Sequence, residues 1–407
     1  MYLKPNAMKK KIKTVGFLPQ LKIAAGIDVH KDKMVLCILK STGETIFNEF
    51  GTTTCELNKL KDFLIEHSVK DCIMESTGIY WCSLYSILEQ AGLHIVLANP
   101  YKIKQMPREK TDRNDSQWMC RLLINNMVKP SFVPPKAQRD LRDYSRMRLI
   151  YTQQCTRIKN RIIKILETNN IKLRSVVSNL STKTAMNIIR SLSLGESDPQ
   201  KLKELCKGKL RKKMDQMAEA LVGTLGEHEH QLLKMLLEEL DFYRDKIQQL
   251  EQLIDVLVLP YREKSEKLQQ IKGIAEKSAE TIIAEIGTDM SKFPSPDHLT
   301  AFGGLAPGQK ETGGKRKPVP TRTGNKYLTT AMIQVAWVAV RMKGSYWQAV
   351  YKNLIRRLPK GKAIIAIARK LLKIIHRILS GDLIYQELTG QDYWNKVWER
   401  RTSFQQS

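Results

Sequence analysis

Three things are scarce in this 407-residue chain, and each scarcity excludes a class of protein. The seven cysteines, at 37, 55, 72, 82, 120, 155 and 206, are scattered, odd in number and never form a C-x-x-C pair. A disulfide framework and a structural zinc are therefore not expected, a reducing cytoplasm is, and most of these thiols should be small buried hydrophobes. No apolar run reaches 18 residues, and the basic stretch at Lys9, Lys10, Lys11 and Lys13 is not followed by a secretory apolar core, so neither a membrane span nor export is expected. Acids are also few: 41 Asp+Glu against 68 Lys+Arg leave a net charge of +27. Self-repulsion of that size is best tolerated beside a polyanion, which makes nucleic acid the leading partner, ahead of a membrane surface.

What is present reads as a folded protein of two or three domains, with 42% hydrophobic and 27% charged residues. From about residue 22, "KIAAGIDVH", "KMVLCILK" and "ETIFNEFGTT" are strand-like, with "STGE" as the turn between the last two. The helical "CELNKLKDFLIEH", the strand "DCIMES", a helix after "TGIYW" and the strand "LHIVLANP" follow. Three consecutive strands and then alternating helices and strands predict a mixed α/β sheet of RNase H-like character.

Beyond it the chain turns helical. Residues 139 to about 174 predict a long basic helix whose apolar 3-4 spacing breaks at Arg148. Leu233, Leu236, Leu240, Tyr243, Ile247, Leu250, Ile254 and Leu257 form a zipper-like stripe that Pro260 closes. That stripe suits either a helical hairpin within one chain or a coiled coil between two. "LQQIKGIAEKSAETIIAEIG" has Gly273 between two short helices and resembles a helix-hairpin-helix, whose turn offers N–H groups to phosphate; an ordinary αα-hairpin fits it too. A Gly-, Pro- and Lys-rich loop spans Gly303 to Asn325, and helices fill the rest.

The scarce acids are gathered where they can matter. Asp28 closes the first strand, Glu75 closes a later one, and Asp112 and Asp115 share one face of a predicted helix, "TDRNDSQWMCRLL". Side chains at the ends of neighbouring parallel strands lie together, and a helix across them adds a third and fourth carboxylate. Four such groups repel unless divalent cations neutralise them, and hard oxygen ligands suit Mg²⁺ or Mn²⁺. Two such ions about 4 Å apart are the usual device for phosphodiester chemistry. The plainer readings are a helix cap or first-turn charge for Asp112 or Asp115, a turn former for Asp28 and a cap for Glu75; the joint pattern favours the metal site.

The segments "GIDVHKDK", "MESTGIYW", "NPYKIKQMPREKTDRNDSQWMCRLL" and "LTAFGGLAPGQKETGGKRKPVPTRTGNKYL", in that order, resemble transposases of the insertion-sequence-one-ten family, which includes the Piv-type DNA invertases. The resemblance implies a basic tail (1–21), a RuvC-like catalytic domain with a DEDD metal site (22–135), a coiled-coil-like helical segment (136–262) and a mostly α C-terminal transposase domain (263–407). Position by position, the DEDD acids fall on Asp28, Glu75, Asp112 and Asp115. It also implies a hydroxyl nucleophile that forms a covalent protein–DNA intermediate, donor and target DNA, a structured guide RNA and a homo-oligomer. Where the family usually reads "NESAGKRK" this chain reads "KETGGKRK", so Thr312 stands where the nucleophilic serine is expected. Thr312 as nucleophile, a nearby hydroxyl such as Thr321 or Thr323, and loss of strand exchange are the three readings, in that order. Nucleic-acid contacts are expected from His30, Lys31, Lys110 and Arg113 near the acids, from Arg146, Arg157 and Arg161 on the long helix, and from Lys272 at the hairpin turn. The loop and the helix start after it add Lys310, Lys315, Arg316, Lys317, Arg322, Asn325 and Lys326.

Overall fold

β-Branched and aliphatic residues fill the first strands, and in the computed structural model the three segments read as strand-like are strands. The structure describes residues 21–76, 78–99, 111–128, 130–308, 310–312, 315–317, 319, 321 and 323–405, with backbone alone for 310–312, 315–317, 396 and 400–405. Two units result, Met1–Val133 and Pro134–Ser407.

In the first unit β1 (Ile23–Val29), β2 (Met34–Lys40) and β3 (Thr45–Phe50) make an antiparallel meander, followed by α1 (Thr54–Glu66), β4 (Asp71–Glu75), α2 (Trp81–Gln90), β5 (His94–Ala98) and α3 (Asp112–Ile124). The sheet order is β3-β2-β1-β4-β5, with β4 parallel to both β1 and β5. This mixed five-stranded sheet has the RNase H-like strand order. Its pleat sorts side chains to two sides. Ala25, Ile27, Leu36, Ile38 and Met74 pack with Leu57, Leu60, Leu84 and Leu88 of α1 and α2. Ala24, Cys37, Ile73 and Ala98 pack with Met119 and Cys120 of α3.

The second unit is built on a helical hairpin. α4 (Lys136–Thr168) is followed by the short helices α5 (Leu173–Val176), α6 (Lys183–Ser193), α7 (Pro199–Glu204) and α8 (Met214–Ala220), then by α9 (Glu227–Val258). Ile158, Ile162 and Leu166, late in α4, share a core with Leu233, Leu237 and Leu240, early in α9. Leu141, early in α4, meets Ile254 and Val258, late in α9, so the two run antiparallel. The zipper-like stripe therefore packs within this chain. The break at Arg148 is a buried ion pair: its Nη1 donates to Glu280 Oε2 at 2.6 Å.

After α10 (Arg262–Gln269), Gly273 turns the chain into α11 (Glu276–Ile286) with φ +102°, where a side chain would be strained and its Cβ would lie 2.9 Å from Val335 O. α12 (Pro296–Phe302) follows. The Gly-rich loop contains a short hairpin, β6 (Lys310–Thr312) and β7 (Lys315–Lys317), with Thr312 opposite Lys315. The Gly313–Gly314 pair between these strands lies outside the described residues. α13 (Lys326–Arg341), α14 (Tyr346–Leu354), α15 (Lys360–Leu379) and α16 (Gly390–Gln405) complete the chain. Five of the seven cysteines are buried, while Cys55 and Cys82 are exposed.

Candidate metal centre

Three features of local sequence bring acids to one end of the sheet. Asp28 is two residues beyond Gly26 and four beyond Ala24 on β1, hence on the α3 side of the pleat. Gly26 lets α3 settle there, since an added Cβ would sit 2.1 Å from Ser116 O. Glu75 is two beyond Ile73 on β4, so it too faces the α3 side. The β1–β4 register pairs Ile27 with Met74, which makes Asp28 and Glu75 the next residues on adjacent parallel strands.

The third feature is the start of α3. Thr111 caps the helix by accepting from Asn114 N at 3.2 Å, so neither Asp112 nor Asp115 is needed for capping. Both lie in the first turn, where the helix dipole favours a negative charge.

Among the described residues, ligand atoms of Asp28, His30 and Asp112 lie within 4.8 Å of one another. His30 Nε2 donates to Asp28 Oδ2 at 3.0 Å and lies 3.5 Å from Asp112 Oδ1, while Lys33 Nζ is 2.6 Å from Asp112 Oδ2. The β1–β2 turn arranges this, with His30 N donating to Lys33 O at 3.0 Å. Burial pushes the Asp28 carboxyl above its usual range; His30 works against that rise, and the charges of Asp115 and Asp112 add to it. The hydrogen bond from Lys33 holds Asp112 below its usual range.

Sequence reasoning reads His30 as a phosphate contact or a structural group, and the structure seats it between two acids. Lys33 was missed, although its place in the same turn as His30 was the available signal. Gly26 was missed too; a glycine inside a strand signals a close approach of backbone. We expect Gly26→Ala to lower stability by about 1–3 kcal/mol, the cost of overpacking a filled site. A melt matching the parent would show that α3 does not depend on that approach.

The other expected site residues divide by environment. Lys31 is exposed, and Arg113 lies 5.7 Å from the centre of the Phe47 ring. Arg157, Arg161 and Lys272 are exposed. Arg146 instead forks onto buried Glu285, at 2.7 and 2.8 Å, and stacks on Tyr327. Asn325 caps α13 and donates to the same Glu285 at 2.6 Å. Both side chains are thus held by an internal acid, which local sequence could not reveal because Glu285 lies far away in the chain. Lys326 sits 5.1 Å from the Tyr327 ring centre, and Thr321 and Thr323 are exposed. Lys110 and Arg322 lie outside the described residues, and Lys310, Thr312, Lys315, Arg316 and Lys317 are described as backbone only.

Acids gathered at one end of a mixed sheet, in a chain of strongly positive charge, place the protein in the transposase class once its relatives are considered. A DEDD transposase model of the IS110 type matches residues 25–171, and one described as "Transposase IS116/IS110/IS902 family" matches residues 265–352. The chain belongs to the IS110 family of transposases. It is 28% identical over 159 residues to the "Transposase for insertion sequence element IS1533" of Leptospira borgpetersenii, covering 37% of this chain and 45% of that one. It is 23% identical over 326 residues to the "Putative transposase y4qE" of Sinorhizobium fredii, covering 77% and 70%. The chain thus spans about half the length of the first of these relatives. The RuvC structure of Thermus thermophilus matches 27% of this chain and 99% of its own, at 11% identity and a TM-score of 0.22. Among the described residues, no helix is long and apolar enough to cross a membrane.

Proposed function

We propose that this protein cuts and rejoins DNA strands for a mobile element, with Asp28, Glu75, Asp112 and Asp115 as the holders of Mg²⁺ or Mn²⁺. The observation that supports this most is the convergence of Asp28 and Asp112 within 4.8 Å of each other and of His30. The donor set fits a hard divalent ion: carboxylate oxygens, one of them partly withdrawn from water and raised in pKa by burial and by neighbouring acids. Glu75 and Asp115 lie outside that group of atoms, yet strand register and helix phase put them on the same side, and the charge of Asp115 is felt at Asp28. When bound, such ions activate the attacking oxygen and steady the leaving one.

The chain's own groups supply the rest. The Thr312 hydroxyl attacks the scissile phosphorus, losing its proton to a base. A threonine Oγ–P bond forms as the bridging P–O bond breaks, and the departing strand oxygen takes up a proton. The ester conserves the bond for rejoining. The β-methyl of threonine restricts χ1, so attack requires the one rotamer that reaches phosphorus. Cations of the 303–325 loop stabilise charge on the pentacovalent phosphorus. A structured RNA that selects donor and target, a dimer or tetramer holding two duplexes, and a cytoplasmic location belong to the same reading.

Thr312→Ala should abolish the covalent adduct, seen as a protein–DNA species on denaturing gels, while DNA affinity stays within about twofold, as expected when only a transition-state contact is lost. Full adduct in that variant would pass the role to Thr321 or Thr323. Free 5′-phosphate ends with no adduct in the parent would favour the second reading, a metal-dependent endonuclease using water, for which the acids of the first unit suffice. Neither cleavage nor any stabilisation by Mg²⁺ would favour a binding protein that has lost catalysis.

A further inference from the structure

Lys362, Ile365, Ala366, Arg369, Lys370 and Lys373 follow one another at helical spacing along a single stripe of α15. Opposite them stand Leu305, Pro307, Val319 and Thr321 of the loop that carries the expected nucleophile. Between the two lies a cleft of about 880 Å³, within the range of small-molecule sites. Its floor is aliphatic, and its rim is cationic.

The only rim acid among the pairs described here is Asp297, 3.0 Å from Arg369 Nη2 and 2.7 Å from Lys373 Nζ. One carboxylate cannot balance Lys362, Arg369 and Lys373 together. In addition, Arg369 Nε is buried and has no hydrogen-bond partner, so a donor beside the cleft lacks an acceptor oxygen. An apolar floor under a cationic rim matches one kind of ligand well: a flat heterocycle attached to phosphates.

We propose that this cleft holds one unstacked nucleotide of single-stranded DNA, its base on Ile365, Ala366, Leu305 and Val319 and its flanking phosphates on Lys362 and Arg369. A base inside a duplex has its faces covered by neighbours and cannot enter, so the strand must be open there. Ile365, Ala366, Leu305 and Val319, where base and sugar would lie, carry no side-chain donor or acceptor, which favours deoxyribose and the thymine methyl over a 2′-hydroxyl that would be desolvated unpaired. With Thr321 as the one uncharged side chain among the described lining residues able to reach a base edge, selection is mainly by shape and charge rather than by sequence. The inference rests on the nucleic-acid reading above but on neither the acids of the first unit nor strand transfer.

The test is photo-crosslinking of a short single-stranded DNA bearing one photoreactive thymine, in EDTA, with the adducts mapped on the full-length protein. Crosslinks are expected in the peptides containing Val319 or Ile365 and Ala366. They should fall about tenfold in Ala366→Glu, the scale of losing one stacked base, and by a smaller factor in Lys362→Gln. Gln391→Glu, the same charge change on an exposed residue of α16, should leave them unchanged. Crosslinks mapping elsewhere, or equal losses in Ala366→Glu and Gln391→Glu, would overturn the proposal, and a stronger crosslink to RNA would overturn its assignment to DNA. If Ala366→Glu melts early, Lys362→Gln decides the matter: an undiminished crosslink there removes the rim from the site. Protein that crosslinks in the cleft yet never cleaves DNA would defeat only the functional reading, and protein that cleaves without crosslinking would defeat only this inference.

Discussion

Asp28→Asn should stabilise the ion-free protein and destroy its chemistry. The carboxyl of Asp28 is raised in pKa by burial and by Asp115 and Asp112, so its ionised form is disfavoured in the folded state relative to the unfolded one. A raised carboxyl contributes stability that is present below its unfolded value, near 3.8, and is lost as pH rises through the folded value. Without divalent ions at neutral pH, the native aspartate is therefore a net burden. The neutral amide removes the repulsion and still accepts from His30. We expect a rise in Tm of a few degrees, the scale of about 1 kcal/mol in a domain of this size.

Magnesium should reverse the order. Saturating ions stabilise the parent by about 2.7 kcal/mol at a hundred times their Kd, and the variant gains little of that because a ligand charge is missing. Strand cleavage should fall on the order of 10³-fold, since the carboxylates proposed to hold metal would act as a unit. Melting curves with EDTA and with Mg²⁺, read beside a cleavage assay, test both arms. A variant that melts lower than the parent in EDTA, or that keeps the full gain from Mg²⁺, would remove Asp28 from the proposed site.

The second large effect concerns folding. Arg148→Leu should cost about 3–5 kcal/mol, because it leaves Glu280 buried without its partner. Arg148 is 7% exposed and Glu280 4%, and their 2.6 Å contact is joined by donation from Arg148 Nη2 to Lys277 O at 3.2 Å. Arg148→Met with Glu280→Leu should recover nearly all of the loss, since two apolar side chains would continue a stripe that already includes Leu141, Cys155 and Ile158. Lys277 O still accepts from Thr281 Oγ1 at 2.8 Å, so the pair's removal does not orphan that carbonyl. Denaturant melts of the two proteins decide it: a single variant within about 1 kcal/mol of the parent, or a double as unstable as the single, refutes the assignment.

Arg148 also shows what periodicity can and cannot say. The break in the stripe was legible, and a charge on an apolar face calls for a partner. Which acid answers it was not, because Glu280 lies 132 residues further on. The zipper-like stripe of α9 was equally legible as an apolar face, while its cover, α4 of the same chain, followed only from tertiary packing. In the loop, Gly-, Pro- and Lys-rich composition suggested irregular chain, and the β6–β7 pair was hidden because each strand has only three residues, too few to show alternation.

Local sequence determined what a few neighbouring residues can settle: strand and helix identity, the Thr111 start of α3, the phase that puts Asp112 and Asp115 on one side, and the excess of positive charge. Tertiary structure alone decided that His30 and Lys33 stand against Asp112 and that Arg146 and Asn325 share Glu285. It alone opened the cleft beside α15. The physical reason is range. Backbone preference and amphipathic period act within a turn or two of chain, whereas charge pairing and packing act through space and bring together residues that the sequence keeps far apart.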